Sequence, residues 1–250
     1  MEPRTEDYLI YGRHPLAEAL KEGKPFEKIL IQKPATAPDV KALMALATAA
    51  GIPLQFVPQQ KLNSITRKNH QGVIGFASAI SYYKIEDILE QVYAEGRTPL
   101  FLILDQVTDV RNFGAIARTA ECTGVDAIVV PAKGSALISG DAMKASAGAL
   151  NLVPVCKVRF LSEALEFFKL NGITILSSDV KADKKLYECD LTGPVAIILG
   201  SEEKGVSPVL ATEADEQFII PMTGKIDSLN VSVSAGMILY ETLKQRITTV

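Results

Sequence analysis

From Pro99 onward the chain alternates short, wholly apolar runs with longer amphipathic stretches. The runs are LFLIL at 100–104, AIVV at 127–130, ITIL at 173–176, VAIIL at 195–199 and FII at 218–220. A strand with no polar face must be covered on both sides, which is the setting of a parallel sheet. Helical stretches at 113–123, 139–147, 160–170 and 229–246 supply the covering layers, so the pattern predicts an α/β fold. Residues 1–79 predict a smaller α/β unit. It has a helix over His14–Glu22 with Pro15 in its first turn, and a strand over Lys28–Gln32. A helix over Pro38–Ala50 stops at Gly51, and strands follow at Leu54–Val57 and Val73–Ala77 around a polar loop, Arg67–Gly72. Residues 80–98, with a helix near Ile85–Ala94 and the turn Glu95-Gly-Arg-Thr, read as a link to a second domain over 99–250.

Two helices carry more than a fold assignment. In 113–123 the positions Phe113, Ile116, Ala117 and Ala120 follow helical spacing and form a core face. Arg118 falls opposite them, beside Arg111, and so faces water or a cleft. The last helix is apolar on two sides: Leu229, Val233, Gly236, Met237 and Tyr240 form one stripe, and Val231, Ala235, Ile238 and Thr242 another. Such a helix needs cover on both sides, one from the sheet and one from a second subunit or the N-terminal domain.

Composition narrows the function. The 250 residues are 48% hydrophobic with a net charge of -3. That balance argues against a binder held to nucleic acid by charge alone. The charge is uneven, however: residues 1–79 carry ten Lys/Arg against seven Asp/Glu, and residues 80–250 sixteen against twenty-two. The basic N-terminal part permits contact with RNA. Cys122, Cys156 and Cys189 lack any CxxC spacing and are expected to be buried free thiols. The N-terminus lacks a signal-peptide pattern and no run reaches membrane-span length, so a cytoplasmic location is expected. No GxG, GxxxxGK[ST], HExxH or GxSxG occurs, which excludes the usual dinucleotide, phosphate-loop, zinc-protease and serine-hydrolase sites. His14 and His70 are too few and too isolated for a metal site, so no metal is expected. His14 reads as a helix start, and His70 as loop structure or a phosphate contact.

The candidate chemistry begins at Leu199–Pro208, LGSEEKGVSP. It places a glycine, two carboxylates and a second glycine on the tip of a buried strand, where open parallel sheets bind ligands. Two further stretches belong at neighbouring strand tips: Leu104–Glu121, LDQVTDVRNFGAIARTAE, and Ile219–Ser234, IIPMTGKIDSLNVSVS. In order and residues the three resemble motifs 1, 2 and 3 of the SpoU (TrmH-type) RNA 2′-O-ribose methyltransferases of the SPOUT superfamily, over about residues 99–245. The N-terminal section, with Tyr11-Gly-Arg-His-Pro-Leu and His70-Gln-Gly-Val, is similar to the L30e-like domain of the ribosomal-RNA branch.

The resemblance implies a trefoil-knotted parallel-sheet catalytic domain behind a small L30e-like RNA-binding domain. It also implies an S-adenosylmethionine-dependent enzyme and a homodimer through the C-terminal helix. Residue by residue, Asn112 and Arg118 match motif 1; Gly200, Glu202 and Gly205 match motif 2; Ser228, Leu229 and Asn230 match motif 3. Leu199, Gly200, Gly205, Ile220, Met222 and Leu229 are expected to contact the cofactor. Arg118, with Asn112, Glu202, Asn230 and Ser228, is expected to carry catalysis. A guanidinium stays protonated in proteins, so Arg118 suits a phosphate clamp better than a base. Asn112 and Asn230 would fix Arg118 or the ribose, and Glu202 would orient Arg118 or accept the proton. Asn112 and Ser228 each have an alternative reading as a helix N-cap. Arg13, Arg67, Lys68 and Arg111 are candidates for RNA contact. The expected reaction is methylation of a ribose 2′-hydroxyl in large-subunit ribosomal RNA, at a guanosine. Transfer RNA as substrate, or a non-catalytic role in RNA binding or ribosome assembly, are the alternatives.

Overall fold

The structure, a computed structural model, describes residues 8–226 and 228–248, which leaves Asp227 of the third motif outside it. The chain divides into two units. The first runs to Ser81 and takes in Leu137–Asp141; the second comprises Tyr82–Ala136 and the chain from Ala142 onward.

In the first unit β1 (Leu9–Tyr11), α1 (Arg13–Lys21), β2 (Phe26–Gln32), α2 (Pro38–Ala49), β3 (Leu54–Val57), α3 (Gln59–Ile65) and β4 (Val73–Ala77) follow one another. The four strands form a sheet of order β1-β4-β2-β3, with β2 and β3 parallel and the other pairs antiparallel. One face packs on α1 and α2 through Leu16, Ile29, Ile31, Leu43 and Val73. The other packs on α3 through Leu30, Val57, Leu62 and Ile74.

The second unit begins with α4 (Ile85–Ala94). This helix lies within the stretch expected to be a link, yet Ile85, Ile88, Leu89 and Val92 are buried in the core of the sheet domain. Burying four such side chains contributes roughly 6–12 kcal/mol before entropy, as much as a whole domain's net stability. The helix is therefore an integral layer of this unit. Next come β5 (Leu100–Leu104), α5 (Val110–Cys122), β6 (Ala127–Pro131), α6 (Gly140–Ala145, of which Gly140 and Asp141 count with the first unit), β7 (Val155–Val158), α7 (Leu161–Leu170) and β8 (Thr174–Ser178). The last elements are β9 (Val195–Leu199), α8 (Pro208–Glu213), β10 (Glu216–Phe218) and α9 (Val231–Thr248). All six strands are parallel, in the order β10-β8-β9-β5-β6-β7.

Four of the five apolar runs thus fall on strands, the run at 218–220 entering β10 only at Phe218, and every residue of β5 and β9 is buried. Because the strands are parallel, the tips of β5, β8 and β9 share one edge of the sheet. The α9 helix lays Val231, Ala235, Ile238, Leu239 and Thr242 into the unit and leaves Val233, Met237 and Tyr240 exposed. Arg246 fastens its far end. The half-buried guanidinium donates to the carbonyls of Leu191, Thr98, Pro99 and Gly193 at 3.1, 2.9, 2.9 and 2.7 Å. Of the three free cysteines, Cys156 and Cys189 are buried, but Cys122 is exposed near the end of α5.

Candidate active site

The turn after β9 sets the geometry. Leu199 is the last residue of the strand, and the chain doubles back so that Gly205 N–H donates to the Ser201 carbonyl at 2.8 Å. Gly205 has φ +66°, which a glycine adopts without strain. Gly200 is required for a different reason. A methyl group built on it would lie 1.9 Å from the Gly205 carbonyl carbon and 2.1 Å from the Val206 nitrogen. Only a residue without a side chain lets the two limbs of the turn meet.

The returning limb is held from β5. Ser207 N–H donates to the Asp105 carboxylate at 2.7 Å, and Asp105 N–H donates to the Leu199 carbonyl at 2.8 Å. Asp105 is buried at the tip of β5, so a charge-assisted bond replaces the water it loses. Sequence reasoning missed this residue, although an acid directly after five apolar strand positions was its signal.

Beside the turn lies a cleft of about 670 Å³, bounded by the tips of β8 and β9, by α8 and by the start of α9. Leu199, Gly200, Gly205, Ile220, Met222 and Leu229, the six residues expected to hold a cofactor, all line it. So do Glu202 and Ser228. Pro208, the last residue of the LGSEEKGVSP stretch, also lines it, as do Ser178–Lys181 and the residues Ala211 and Thr212 of α8, to which no motif pointed.

Three of the expected catalytic residues meet. Asn230 Nδ2 donates to Asn112 Oδ1 and to Glu202 Oε2, both at 3.1 Å. Asn230 Oδ1 accepts from Ser232 N at 3.0 Å and from Ser232 Oγ at 2.5 Å. All four hydrogen-bonding positions of that amide are therefore engaged within the protein. Asn230 is the N-cap of α9, a role Ser228, which is exposed, does not fill. Asn112 is not an N-cap either: Asp109 caps α5 by accepting from Arg111 N and Asn112 N, both at 2.9 Å. The network orients Asn112 as well. Its Oδ1 faces Asn230, which leaves its own Nδ2 and the Glu202 Oε1 as the polar atoms without a partner among the described residues.

Arg118 is not brought into this network. It lies six residues beyond Asn112, about 9 Å along α5 and about 120° around it. It is exposed, does not line the cleft and has no hydrogen bond or ion pair among the described residues. Arg111 is exposed on the same side. In the first unit Arg67 and Lys68 are exposed, whereas Arg13 is half-buried and engaged. Arg13 Nη1 pairs with Asp39 at 2.9 Å and its Nε donates to the Gln71 carbonyl at 3.0 Å. His70 is a buried loop residue, with Nε2 on Asn63 Oδ1 at 2.8 Å and Nδ1 accepting from Gly72 N at 3.0 Å. This is loop structure, and it leaves neither ring nitrogen open to a phosphate.

The chain is 33% identical over 243 residues, 97% of each chain, to YacO of Bacillus subtilis, assigned to the TrmH family of tRNA/rRNA methyltransferases. A solved RNA 2′-O ribose methyltransferase is similar with a TM-score of 0.56 and 28% identity, covering 96% of this chain and 88% of that one. The fold is shared with the SpoU methyltransferase AviRb of Streptomyces viridochromogenes in complex with AdoMet. There the TM-score is 0.61 at 23% identity, over 96% of this chain and 90% of that one. Residues 9–83 match the family of RNA 2′-O ribose methyltransferase substrate-binding domains. Residues 99–240 match the SpoU rRNA methylase family, and the chain belongs to it.

Proposed function

We propose that the protein transfers a methyl group from S-adenosylmethionine to a ribose 2′-hydroxyl of ribosomal RNA, acting as a homodimer. The observation that carries this reading is the joining of Asn112, Glu202 and Asn230 beside a cleft built on the β9 turn. The cleft suits the donor. Its volume falls within the roughly 300–1,000 Å³ of small-molecule sites. Leu199, Ile220, Met222 and Leu229 offer apolar walls to a purine, and Glu202, Glu203 and Asp179 offer carboxylates to a cationic ligand. When bound, the donor supplies a methyl group activated by a sulfonium.

The residues of the chain then have distinct tasks. Asn230 positions its two neighbours and has no group left for a ligand. Asn112 Nδ2 is free to donate to a ribose oxygen. Glu202 Oε1 is free to accept the proton that the hydroxyl releases as its oxygen takes the methyl group. Arg118, which does not line its own subunit's cleft, clamps a phosphate beside the target sugar from across the subunit contact. The uncovered stripe Val233, Met237 and Tyr240 on α9 supports the dimer. The substrate-binding unit supports ribosomal RNA over transfer RNA, because it adds a second surface for a large substrate.

Mapping 2′-O-methylation in ribosomal and transfer RNA, from cells with and without the gene, tests the reading. Loss of one ribosomal site, restored by the parent gene and not by Glu202→Ala, is the expected result. Loss confined to transfer RNA changes the substrate, and no loss in either removes the catalytic reading.

A further inference from the structure

From Val40 to Ile85 the sequence contains no aspartate or glutamate, but it includes Lys41, Lys61, Arg67, Lys68 and Lys84. Of these, Lys61, Arg67 and Lys68 lie in α3 and the loop before β4, whereas Lys41 lies on α2 and Lys84 just ahead of α4. On the α3 face of the sheet, Leu9, Phe76 and Lys28 stand in register across β1, β4 and β2. Lys28 Nζ lies 5.1 Å from the centre of the Phe76 ring, and Lys68 Nζ lies 5.4 Å from that of Tyr11. Burial and repulsion by Lys61 outweigh the attraction of Glu27 and hold the Lys28 ammonium below the ordinary lysine range. The face covered by α1 and α2 is different, for there Arg13 pairs with Asp39 and Lys21 with Glu18. One side of this unit thus balances its charges, and the other gathers cations beside aromatic rings.

We propose that the face bearing Tyr11, Lys28, Lys61, Lys68 and Phe76 is a docking surface for a single-stranded stretch of RNA. The proposal rests on the RNA-substrate reading above and assigns the face and the mode of contact. The flexible lysine stems let their ammonium groups leave the rings for phosphates, and the vacated rings take unpaired bases. A duplex keeps its bases stacked on one another and offers the rings nothing.

The test uses the full chain, fluorescence anisotropy and a labelled single-stranded RNA, with its duplex as comparison. Two triple variants carry the same charge change: K28Q/K61Q/K68Q on this face, and K21Q/K24Q/K41Q on α1, α2 and the turn after α1. The first is expected to weaken single-strand binding at least tenfold near physiological salt and to lower the slope of log affinity against log salt by about 2. The second is expected to change affinity less than about threefold. Phe76→Leu, which keeps apolar bulk, is expected to weaken single-strand binding about fivefold or more and to leave duplex binding unchanged. Lys28→Gln alone is expected not to lower the unfolding midpoint, since it removes a repelled, half-buried charge. Equal effects of the two triples, an unaffected Phe76→Leu, or tighter binding of duplex by the parent would each overturn the proposal while the RNA reading stands. A parent that binds neither RNA while still binding S-adenosylmethionine in a calorimeter would remove both.

Discussion

Replacing Gly200 with alanine puts the geometry of the β9 turn under direct test. The added methyl would sit 1.9 to 2.1 Å from backbone atoms of Gly205 and Val206, where ordinary contact begins at 3.4 Å. One limb of the turn must therefore retreat by about 1.3–1.5 Å. Both limbs are fixed: Gly205 N–H by Ser201, and Ser207 N–H by the buried Asp105. A displacement of that size stretches both bonds beyond hydrogen-bonding range. Losing one neutral and one charge-assisted bond costs about 2–4 kcal/mol, and overpacking adds about 1–3 kcal/mol. For a unit of this size the unfolding midpoint should drop by roughly 9–20 °C. Because the same turn walls the cleft, affinity for S-adenosylmethionine should fall at least about tenfold, which is about 1.4 kcal/mol. Thermal unfolding and titration calorimetry measure the two effects. Gly224→Ala is the control, for a methyl group there meets open space. A Gly200→Ala protein that melts with the parent and binds the cofactor as tightly would refute the account of the turn.

Three further perturbations probe other parts. Arg246→Ala removes four bonds between the end of α9 and the segments leading into β5 and β9; the expected loss is about 2–4 kcal/mol, read by urea unfolding, and an unchanged midpoint would show the clasp to be idle. The Cys156 thiol is pushed up from 9.0 to about 12 by burial and, next, by Glu86 and Asp87. Above about pH 9 the unfolded chain releases this proton and the folded one keeps it, so stability falls with rising pH by about 1.4 kcal/mol per unit. Cys156→Ala should flatten that slope between about pH 9 and 11, and equal slopes in both proteins would contradict the burial argument. Chains carrying Arg118→Ala and Glu202→Ala, each inactive alone, are expected to regain methylation when mixed dimers form; verified mixed dimers without activity would confine Arg118 to its own subunit's cleft.

The sequence made the sheet legible because wholly apolar runs leave strands few alternatives. The runs at 100–104, 127–130 and 195–199 coincide with β5, β6 and β9, and that at 173–176 overlaps β8, which starts one residue later and runs on to Ser178. The run at 218–220 shifted: β10 covers Glu216–Phe218, and Ile219 instead makes a lone bridge to Lys185. Short elements were silent. The α3 and α8 helices span seven and six residues, too few for a period to register, and β7 is a four-residue strand containing a lysine. Strand order was not readable at all, since it depends on pairings between distant segments. The lining of the cleft was legible through glycine spacing and family motifs. The roles of the asparagines were not, because a saturated amide and a free one look alike in a sequence. The Asp109 cap was visible in principle, as an acid just ahead of an amphipathic stretch.

The middle of the six-stranded sheet joins β5 to β9, with Leu100 opposite Val195. During synthesis β5 can find β6 early, since Phe101 meets Ala127. Its other edge waits, fully apolar and unpaired, until the ribosome has added the whole stretch up to β9. The nascent protein therefore carries an aggregation-prone edge throughout the synthesis of residues 105–199. In a cell, yield of this enzyme should depend on elongation rate and on chaperones that shelter that edge.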